Sequence, residues 1–464
     1  MKRRTLLALP LFAAACSSAP PRAAPTRLHI PPVLPPAIDA DGAKRFTLTM
    51  RAGSKTWGIN GDFLGPTVRA ARGDTVRMAV TNRLPETSTL HWHGMRLPAR
   101  MDGGPHQMIE PGATWTPEWT IDQPSMTSWF HPHLHEKTAM HVYRGVAGLF
   151  LVNDSDDPAL PDTYGVDDIP LIIQDRNSSG SVGGVDSGTF GLLGDVVLIN
   201  GTRGAVFTAT TSLVRFRLLN ASNARVYRAG FADGRTFAVI AGDAGFLERP
   251  ATVDRVKISP GERVEIVVRF APGETVVMNS VGESERSAND IEEDDFDLLT
   301  VVAAGSLTSS PALPSALGGT PPESPPAGAT VRRFALSGSE INDRDMDMTR
   351  IDEVVPAGAH EIWEIDNRTY AHNFHIHEVA FRILEIDGQP PPAYQAGPKD
   401  TVFLPKHAKA RLSVRFGRHV DPTAPYMYHC HILRHEDKGM MGQFVVVEPG
   451  TEALVARTIT GHHD

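Results

Sequence analysis

Short stretches in which hydrophobic and polar residues alternate recur along the chain from residue 46 onward. Examples lie at 46–50, 76–80, 214–218, 264–268, 361–365 and 411–416. Because successive side chains of a β-strand point to opposite faces, this two-residue period predicts half-buried strands. Long helical patterns are scarce, and 41 glycines and 37 prolines supply turns between the strands. The sequence therefore predicts an all-β protein.

This strand pattern returns three times along the chain, each time with a glycine-bearing turn before a strand. The turns lie at 71–74, 259–262 and 355–358. Two breaks separate the three regions, one near 154–168 that is rich in Asp and Pro, and one at 304–330 dominated by Ser, Pro, Gly and Ala. The length of 464 residues fits two to four domains at roughly 100–200 residues each. We predict three consecutive β-sandwich domains and a linker, at 41–155, 156–305, 306–330 (the linker) and 331–464.

The first fifteen residues have the layout of an export signal. Three basic residues at 2–4 precede an apolar run at 6–15, which is too short for a bilayer span of about 20 residues. The string Arg-Arg-Thr-Leu-Leu at 3–7 looks like a twin-arginine export signal. We therefore predict a signal peptide at 1–15 and an exported protein of the periplasm or the cell surface.

The residues around the end of this signal resemble a lipoprotein box. The string Ala13-Ala14-Ala15-Cys16 would make Cys16 the lipidated first residue of the mature chain, although Ala13 departs from the usual Leu. Plain signal cleavage near Ala15 is the alternative. The Ser- and Pro-containing residues that follow favour an extended segment over a strand. We predict a lipoprotein-like tether at 16–40 that attaches the protein to a membrane only through Cys16.

The charge of the chain argues against nucleic acid as a partner. The net charge is −9, from 45 basic and 54 acidic residues, and the basic residues are not clustered. The chain has two cysteines. Because Cys16 lies at the signal boundary, Cys430 has no disulfide partner within the folded part, and a lone cysteine in an exported protein needs another explanation.

Histidine carries the clearest functional signal in the sequence. Ten of the 19 histidines fall into four tight groups, which are His91 and His93; His131 and His133; His372, His375 and His377; and His429, His431 and His435. Because residues two apart on a strand share a face, each His-X-His pair can direct two imidazoles at one point. A single pair could be a surface or core feature, but four groups in one chain indicate a metal centre.

Within the fourth group, Cys430 separates two sites. Strand alternation points His429 and His431 to one side and Cys430 to the other, so a metal bound by the thiol lies beside a site held by the two histidines. One thiolate, two imidazoles and a distant thioether form the ligand set of blue copper. Neither iron nor zinc explains a Cys that is followed ten residues later by a Met. The blue-copper set here would be His372, Cys430, His435 and Met440.

Together these motifs resemble those of the three-domain bacterial multicopper oxidases, the group that contains laccases and periplasmic cuprous oxidases. The resemblance extends from Gly-Pro-Thr-Val-Arg-Ala at 65–70 to Gly-Met-Met-Gly at 439–442, nearly the whole mature chain. It implies three consecutive cupredoxin-like Greek-key β-sandwich domains, with the middle one a spacer that carries no ligand group. It also implies four copper ions per chain and dioxygen as the electron acceptor.

The resemblance gives each ligand a role. The type 1 copper would take His372, Cys430, His435 and Met440. The type 2 copper would take His91 and His375. The type 3 pair would take His93, His131, His133, His377, His429 and His431. The type 2 and type 3 ions would form a trinuclear cluster between the first and third domains, because each of these domains supplies four of the eight histidines.

Two carboxylates are candidates for proton delivery, which the reduction of dioxygen to water requires. By motif position, Asp102 in Met-Asp-Gly-Gly-Pro resembles the acid near the type 2 copper, and Glu436 resembles the acid that serves the type 3 pair. Either residue could instead make a structural hydrogen bond to a loop or to a ligand imidazole. We predict the proton role for both.

The sequence leaves the electron donor open. Thioethers suit Cu(I) and carboxylates suit Cu(II), and Met346, Asp347 and Met348 resemble an Asp-Met string near the type 1 copper of cuprous oxidases. The Asp-Met pair that those enzymes carry is missing at 367–371, and so is their long Met-rich insert. Met346 and Met348 could then be packing residues, and an open edge at His435 would admit bulky phenols. We predict a monomeric cuprous oxidase of copper tolerance, with laccase-like oxidation of phenols, or oxidation of Fe(II) or Mn(II), as alternatives.

Copper proteins of other classes fit the sequence less well. A copper nitrite reductase also has blue copper, but it would have two domains and no cluster of eight histidines. A copper-free scaffold of the same fold would have lost ligands, and none is missing here. A copper storage protein would more often show Met/His-rich repeats, and this sequence shows none.

Overall fold

The computed structural model describes residues 25–283 and 290–459. Within these ranges the chain forms three β-sandwiches in succession, so the predicted all-β fold is confirmed. The predicted signal peptide at 1–15 and the predicted lipidation site at Cys16 lie outside the described residues. No helix in the described ranges is both long and apolar enough to cross a membrane.

The first domain packs two sheets around an aromatic and aliphatic core. Including one strand that precedes the domain, the strands are β1 (Thr26–Arg27), β2 (Ala37–Ile38), β3 (Lys44–Ala52), β4 (Trp57–Ile59), β5 (Val68–Ala71), β6 (Thr75–Arg83), β7 (His91–His93), β8 (Thr114–Trp115), β9 (Glu118–Thr120), β10 (Met126–His131) and β11 (Gly148–Asn153). One sheet has the order β2-β3-β6-β8, with β4 beside β3 and β9 beside β6, and the other has the order β5-β11-β10-β7. Helix α1 (Thr138–Arg144) connects β10 to β11. Every second residue of β6 is buried, as the alternating sequence predicts.

The middle domain has the largest hydrophobic core of the three. Its strands are β12 (Asp168–Arg176), β13 (Val196–Ile199), β14 (Thr202–Arg203), β15 (Ala205–Thr211), β16 (Leu213–Asn220), β17 (Tyr227–Phe231), β18 (Phe237–Gly242), β19 (Gly245–Val253), β20 (Arg255–Ile258), β21 (Arg263–Arg269), β22 (Thr275–Ser280) and β23 (Phe296–Thr308). The sheet orders are β1-β15-β23-β22-β17-β20 and β14-β13-β12-β16-β21-β18-β19.

The third domain packs two five-stranded sheets. Its strands are β24 (Val331–Ser337), β25 (Glu340–Ile341), β26 (Glu353–Pro356), β27 (His360–Asn367), β28 (His372–Ile376), β29 (Ala380–Ile386), β30 (Thr401–Leu404), β31 (Lys409–Arg415), β32 (Asp421–His429) and β33 (Met441–Val447). The sheet orders are β25-β24-β27-β31-β29 and β26-β33-β32-β28-β30. Helix α2 (Leu433–Asp437) lies between β32 and β33. Short 3₁₀ helices occur at Ala99–Met101, Asp290–Glu292, Ala393–Gln395 and Glu452–Leu454.

The described part of the segment predicted as a tether is folded against the domains. Strand β1 pairs in parallel with β15 of the middle domain, and β2 pairs with β3 of the first domain. Leu28 is buried in the middle-domain core. Residues 25–40 therefore belong to the folded body. Backbone pairing at two sheet edges and burial of Leu28 hold them there, although their composition predicts a free tether.

The segment predicted as a linker lies along the middle domain. Strand β23 continues to Thr308, and no helix or strand follows before β24. Leu317 is fully buried in the middle-domain core, and its N–H donates to the carbonyl of Glu248. Further along, the carbonyl of Thr320 accepts from Arg382 and Glu323 pairs with Arg415, so the segment passes from the middle domain to the third.

Helices α1 and α2 join all three domains at one point. The carboxylate of Asp437 accepts hydrogen bonds from the N–H groups of Thr138 and Ala139 at 2.8 and 2.9 Å, and so caps α1 from another domain. Asn223 of the middle domain donates to the carbonyl of Ala139 at 2.9 Å and accepts from the N–H of Leu433 at 2.9 Å. We call this contact the three-domain junction.

Candidate metal centre

The strands that carry the histidine groups meet where the first and third domains face each other. In the strand register, His91 on β7 lies opposite His131 on β10, and His375 on β28 lies opposite His429 on β32. Across the domain boundary, the Nε2 atoms of His133 and His429 are 3.1 Å apart. The ends of two sheets therefore bring imidazoles from both domains into one buried region.

Eight buried imidazoles form three groups in this region, two of which share His93. The ligand nitrogens of each group lie within 4.8 Å of one another. The groups are His91, His93 and His375; His93, His131 and His431; and His133, His377 and His429. Stacking between domains holds the rings in place, with centroid distances of 3.9 Å between His91 and His377 and 3.8 Å between His93 and His375. This is the convergence that the His-X-His spacing predicts.

The donor atoms of this region fit a copper cluster. Several buried ring nitrogens have no hydrogen-bond partner, namely His91 Nε2, His375 Nε2 and both nitrogens of His431. Leaving such atoms unpaired is costly unless they bind something else. Burial lowers the pKa of His133 and of His431 to about 3, so these rings are neutral near pH 7. Neutral imidazoles offer the lone pairs that copper binds.

Asp102 lies directly behind two of these rings. Its Oδ2 accepts a 2.7 Å hydrogen bond from His377 Nδ1 and is 3.4 Å from His91 Nδ1. Its main-chain carbonyl accepts from His91 Nδ1 at 2.9 Å. Asp102 Oδ1 is buried without a partner. The carboxylate can therefore both fix the orientation of two rings and hold a proton close to them.

Glu436 occupies the corresponding place behind another pair of rings. Its two oxygens lie 3.3 Å from His133 Nδ1 and 3.2 Å from His429 Nδ1. Burial alone would raise the pKa of Glu436, but the two neighbouring imidazoles outweigh burial and hold the pKa well below its ordinary value. Both oxygens therefore face ring nitrogens in the interior of the protein.

A third buried carboxylate, Asp400, was missed by the motif analysis. Its Oδ1 accepts from His93 Nε2 at 3.1 Å, and its main-chain carbonyl accepts from His375 Nδ1 at 2.8 Å. The carboxylate also accepts from the Thr401 hydroxyl at 2.9 Å and from Arg263 of the middle domain at 2.6 Å. The position of Asp400 in the sequence could have indicated it, because Asp400 directly precedes β30, whose first residue pairs with His375 in the sheet.

A second group of donors lies on the other side of the same strand end. Cys430 Sγ is 3.6 Å from His372 Nδ1 and 3.5 Å from His435 Nδ1, and the two nitrogens are 3.1 Å apart. Met440 is buried beside them, and a tight turn returns it to the site, with its N–H on the carbonyl of His435. Burial raises the pKa of the Cys430 thiol to about 12, so a bound cation is needed to displace its proton.

The outer edge of this second group is closed by the middle domain. His435 Nε2 donates to the carbonyl of Thr189 at 3.0 Å, and the rings of Phe190 and Tyr370 lie 5.7 and 5.3 Å from the imidazole. The sequence predicted an open edge at His435, and the structure shows otherwise. We call residues 188–190 the cover, because they take the place above His435 that a substrate would need for direct contact.

The Met-Asp-Met segment lies next to the turn that carries the buried thioether. Met346 N–H donates to the carbonyl of Gly439 at 2.9 Å. Gln443 Nε2 donates to the carbonyls of Asp347 and Met348, both at 3.1 Å. Asp347 is exposed, and the two methionines are half-buried. The backbone of this segment therefore lies against the turn that carries Met440, with the carboxylate exposed and the two methionines half-buried.

Three family models match the chain, and each is described as multicopper oxidase. They match residues 43–157, 173–291 and 319–450. The three matches follow one another along the chain as the three β-sandwiches do. The middle match shows that the spacer domain belongs to the same group although it carries no histidine cluster among its described residues.

Individual proteins are similar to this chain along nearly its whole length. A protein named multicopper oxidase mco from Staphylococcus aureus is 33% identical over 441 residues, which cover 91% of this chain and 92% of that protein. The cell division protein FtsP of Sodalis glossinidius is 36% identical over 461 residues, 95% of each chain. The solved structure of CueO, a laccase-like multicopper oxidase from Ochrobactrum sp., is 37% identical with a TM-score of 0.82, covering 90% of this chain and 100% of that one. With matches to all three domains and donor groups that fit copper, this chain belongs to the multicopper oxidase family and is an oxidoreductase.

Proposed function

We propose that this oxidase holds four copper ions and couples one-electron oxidation of a substrate to the four-electron reduction of dioxygen to water. The observation that supports this most is the proximity of the two donor groups. Cys430 belongs to one group, while its chain neighbours His429 and His431 belong to the other. When bound, copper supplies one-electron redox chemistry at the Cys430 group and dioxygen reduction at the histidine cluster.

Each donor in the two groups has a proposed role. The type 1 copper is held by His372, Cys430, His435 and Met440. The type 2 copper is held by His91 and His375. The type 3 pair is held by His93, His131, His133, His377, His429 and His431. The chain itself provides the electron path between the groups, because single peptide bonds connect Cys430 to a histidine on either side.

The protein contributes proton transfer and exclusion of bulk water. Asp102 and Glu436 are both buried against ligand rings, so each can hold a proton within hydrogen-bonding distance of the cluster without opening it to solvent. We propose that both acids deliver protons to oxygen. Their contacts with ring nitrogens also fix which nitrogen of each imidazole faces the metal.

Copper content per chain tests the proposed stoichiometry. We expect four copper ions in the loaded wild-type protein, and a loss confined to the cluster in His375→Ala. His360→Ala is the matched control, since His360 lies outside the donor groups and contacts Ser413 at 2.7 Å. Elemental analysis gives the count. One or two ions in the wild type would favour a nitrite-reductase-like protein, and none would favour a copper-free scaffold.

We further propose that the substrate is Cu(I) and that the enzyme contributes to copper tolerance. The cover favours a small electron donor such as a metal ion, because it prevents bulky phenols from contacting the imidazole of His435. Hydrogen bonds from Thr349 lower the pKa of Asp347, which keeps this exposed carboxylate ionised beside the two methionines. Thioethers suit Cu(I) and a carboxylate suits the Cu(II) that leaves. Phenol oxidation is the second candidate, favoured by the activity of the Ochrobactrum CueO toward lignin model compounds.

A double substitution in the Met-Asp-Met segment tests the substrate. In Asp347→Ala with Met348→Ala, we expect Cu(I) turnover to fall at least about tenfold while the rate on a phenol is kept, since roughly 1.4 kcal/mol of lost binding is tenfold. Asp343→Asn is the control, because it alters an exposed acid of the same loop whose backbone an Asn tolerates. Steady-state rates on both substrates provide the measurement. Unchanged kinetics on Cu(I) would contradict the proposal.

We also propose that the protein is exported and monomeric and works at the cell envelope. The support comes from the basic start, the apolar run and the lipoprotein-like string that ends at Cys16. In this proposal the lipid on Cys16 is the membrane attachment, and the twin-arginine signal is the route. Fractionation of cells into cytoplasm, soluble periplasm and membrane tests it, and recovery in the cytoplasm would refute it.

A further inference from the structure

One side chain of the middle domain reaches the histidine cluster. Arg263, at the start of β21, is buried, and all five of its N–H groups donate hydrogen bonds. Nε donates to the carbonyl of Thr127 in the first domain, and the two terminal nitrogens donate to the carbonyls of Gly261 and Asp243, all at 2.9 Å. The remaining two bonds form a fork on Asp400 of the third domain, at 2.8 and 2.6 Å. Arg263 is therefore fixed by three domains at once.

Asp400 transmits this fork to two cluster imidazoles. Because its Oδ1 accepts from His93 Nε2, the proton of that ring is on Nε2, and the lone pair is on Nδ1, which lies 3.4 Å from His131 Nε2. Because its main-chain carbonyl accepts from His375 Nδ1, the lone pair of the second ring is on Nε2, which has no hydrogen-bond partner. Each ring thus directs a free nitrogen into the cluster.

The packing around the fork leaves it little freedom to move. A Cβ placed on Gly94 would lie 2.7 Å from both Arg263 Nη2 and Asp400 Oδ2, so the first domain closes on the fork directly. On the other side, Lys399 forms an ion pair with Asp243 at 2.9 Å and anchors the main chain next to Asp400. The orientation of the carboxylate is set by these contacts.

We infer that Arg263 and Asp400 are a positioning pair that fixes the tautomer and the ring orientation of His93 and His375. The inference rests on the proposed ligand roles of these two histidines, and it makes the middle domain a working part of the cluster. Hydrogen-bond partners of ligating imidazoles typically affect metal affinity or activity by roughly 10–100-fold. The planar fork of Arg defines the plane of the carboxylate, which a point charge such as Lys does not.

The nearly isosteric substitution Asp400→Asn tests the tautomer. An amide has one acceptor oxygen for two sets of donors. If that oxygen replaces Oδ2 opposite Arg263 Nη2, the amide NH₂ replaces Oδ1, where it faces both Arg263 Nη1 and His93 Nε2 and forces the ring proton onto Nδ1, the nitrogen proposed to bind copper. In the other orientation the NH₂ opposes Arg263 Nη2 and the fork is broken. We expect a loss of about one copper per chain on dialysis against a chelator, with a changed resonance spectrum of the remaining cluster copper, at unchanged visible absorption from the type 1 site.

Arg263→Met tests the fork, and the middle domain offers a matched control. Arg217 is equally buried and forms the same kind of fork on Asp168, at 2.6 and 3.0 Å, but none of its hydrogen bonds reaches a histidine. We therefore expect Arg217→Met and Asp168→Asn to lower the unfolding temperature while keeping the copper count and the electron paramagnetic resonance spectrum. Arg263→Met should change the copper count and the electron paramagnetic resonance spectrum and leave the circular dichroism spectrum unchanged.

The outcomes separate this inference from the proposed function. Cluster copper that is weakened in Asp400→Asn and Arg263→Met, but not in the two controls, supports the positioning pair. A folded Asp400→Asn protein with full copper and an unchanged spectrum overturns it, even if Arg263→Met fails to fold, and so does equal copper loss in the controls. A wild-type protein without cluster copper would instead refute the ligand roles themselves.

Discussion

Replacing Cys430 with serine is expected to abolish both the visible absorption and all substrate oxidation while the fold persists. Charge transfer from a thiolate to copper gives blue sites their strong colour, and Cys430 is the free thiol of the described chain. Its Sγ lies within 3.6 Å of both ring nitrogens of its group. Serine matches the shape of cysteine, so it removes the thiolate with little change in packing.

The second cysteine of the chain provides the control for this experiment. Cys16→Ser should leave the visible spectrum and the rate unchanged, because Cys16 lies in the predicted lipoprotein string and not in either donor group. Visible absorption, circular dichroism and oxygen uptake measure the outcome. A Cys430→Ser protein that remains blue would end the type 1 assignment.

Replacing Asp102 with asparagine is expected to slow reoxidation by dioxygen while leaving reduction of the type 1 copper nearly unchanged. General acid catalysis typically contributes ~10²–10⁴-fold, which sets the expected loss. Asp102 lies 2.7 Å from His377 Nδ1 in the cluster. Asp102 contacts rings of the histidine cluster and lies outside the Cys430 group. The substitution should therefore slow reoxidation at the cluster without changing reduction at the Cys430 group.

Rapid-mixing absorbance distinguishes these half-reactions. Anaerobic mixing with substrate follows loss of the blue colour, and mixing of the reduced protein with dioxygen follows its return. Asp62→Asn, at an exposed acid of the first domain outside both groups, is the control and should match the wild type in both phases. A protein with Asp102→Asn that is slow in reduction but normal in reoxidation would contradict the proton role.

The part of this molecule that sequence predicts well is the part built from local periodicity. The alternation at 76–80 becomes β6, whose burial alternates residue by residue. The same period in His429, Cys430 and His431 predicts that the thiol and the two imidazoles face different groups, and the structure places them so. The first inference needs only the geometry of a single strand, whereas β32 ends at His429, so the alternation of Cys430 and His431 continues beyond the strand itself.

The features that sequence did not reveal depend on contacts between distant segments. Asp400 and Arg263 are 137 positions apart, and neither belongs to a recognisable motif. The cover belongs to a middle-domain loop that meets His435 across 246 positions, so its position above the imidazole cannot be inferred from local pattern. Domain packing, and not strand periodicity, decides whether that edge is open or closed.

The three-domain junction determines when, during synthesis and folding, the two halves of the histidine cluster can meet. His133 and His429 meet across 296 positions, and Asp437 caps a helix that is made about 300 residues earlier. A growing chain that has completed only its first domain thus carries half a cluster and an uncapped helix. Copper cannot be captured in its final geometry until translation has finished and the last strands have docked. The donors of the histidine cluster therefore come together only when the third domain docks on the first.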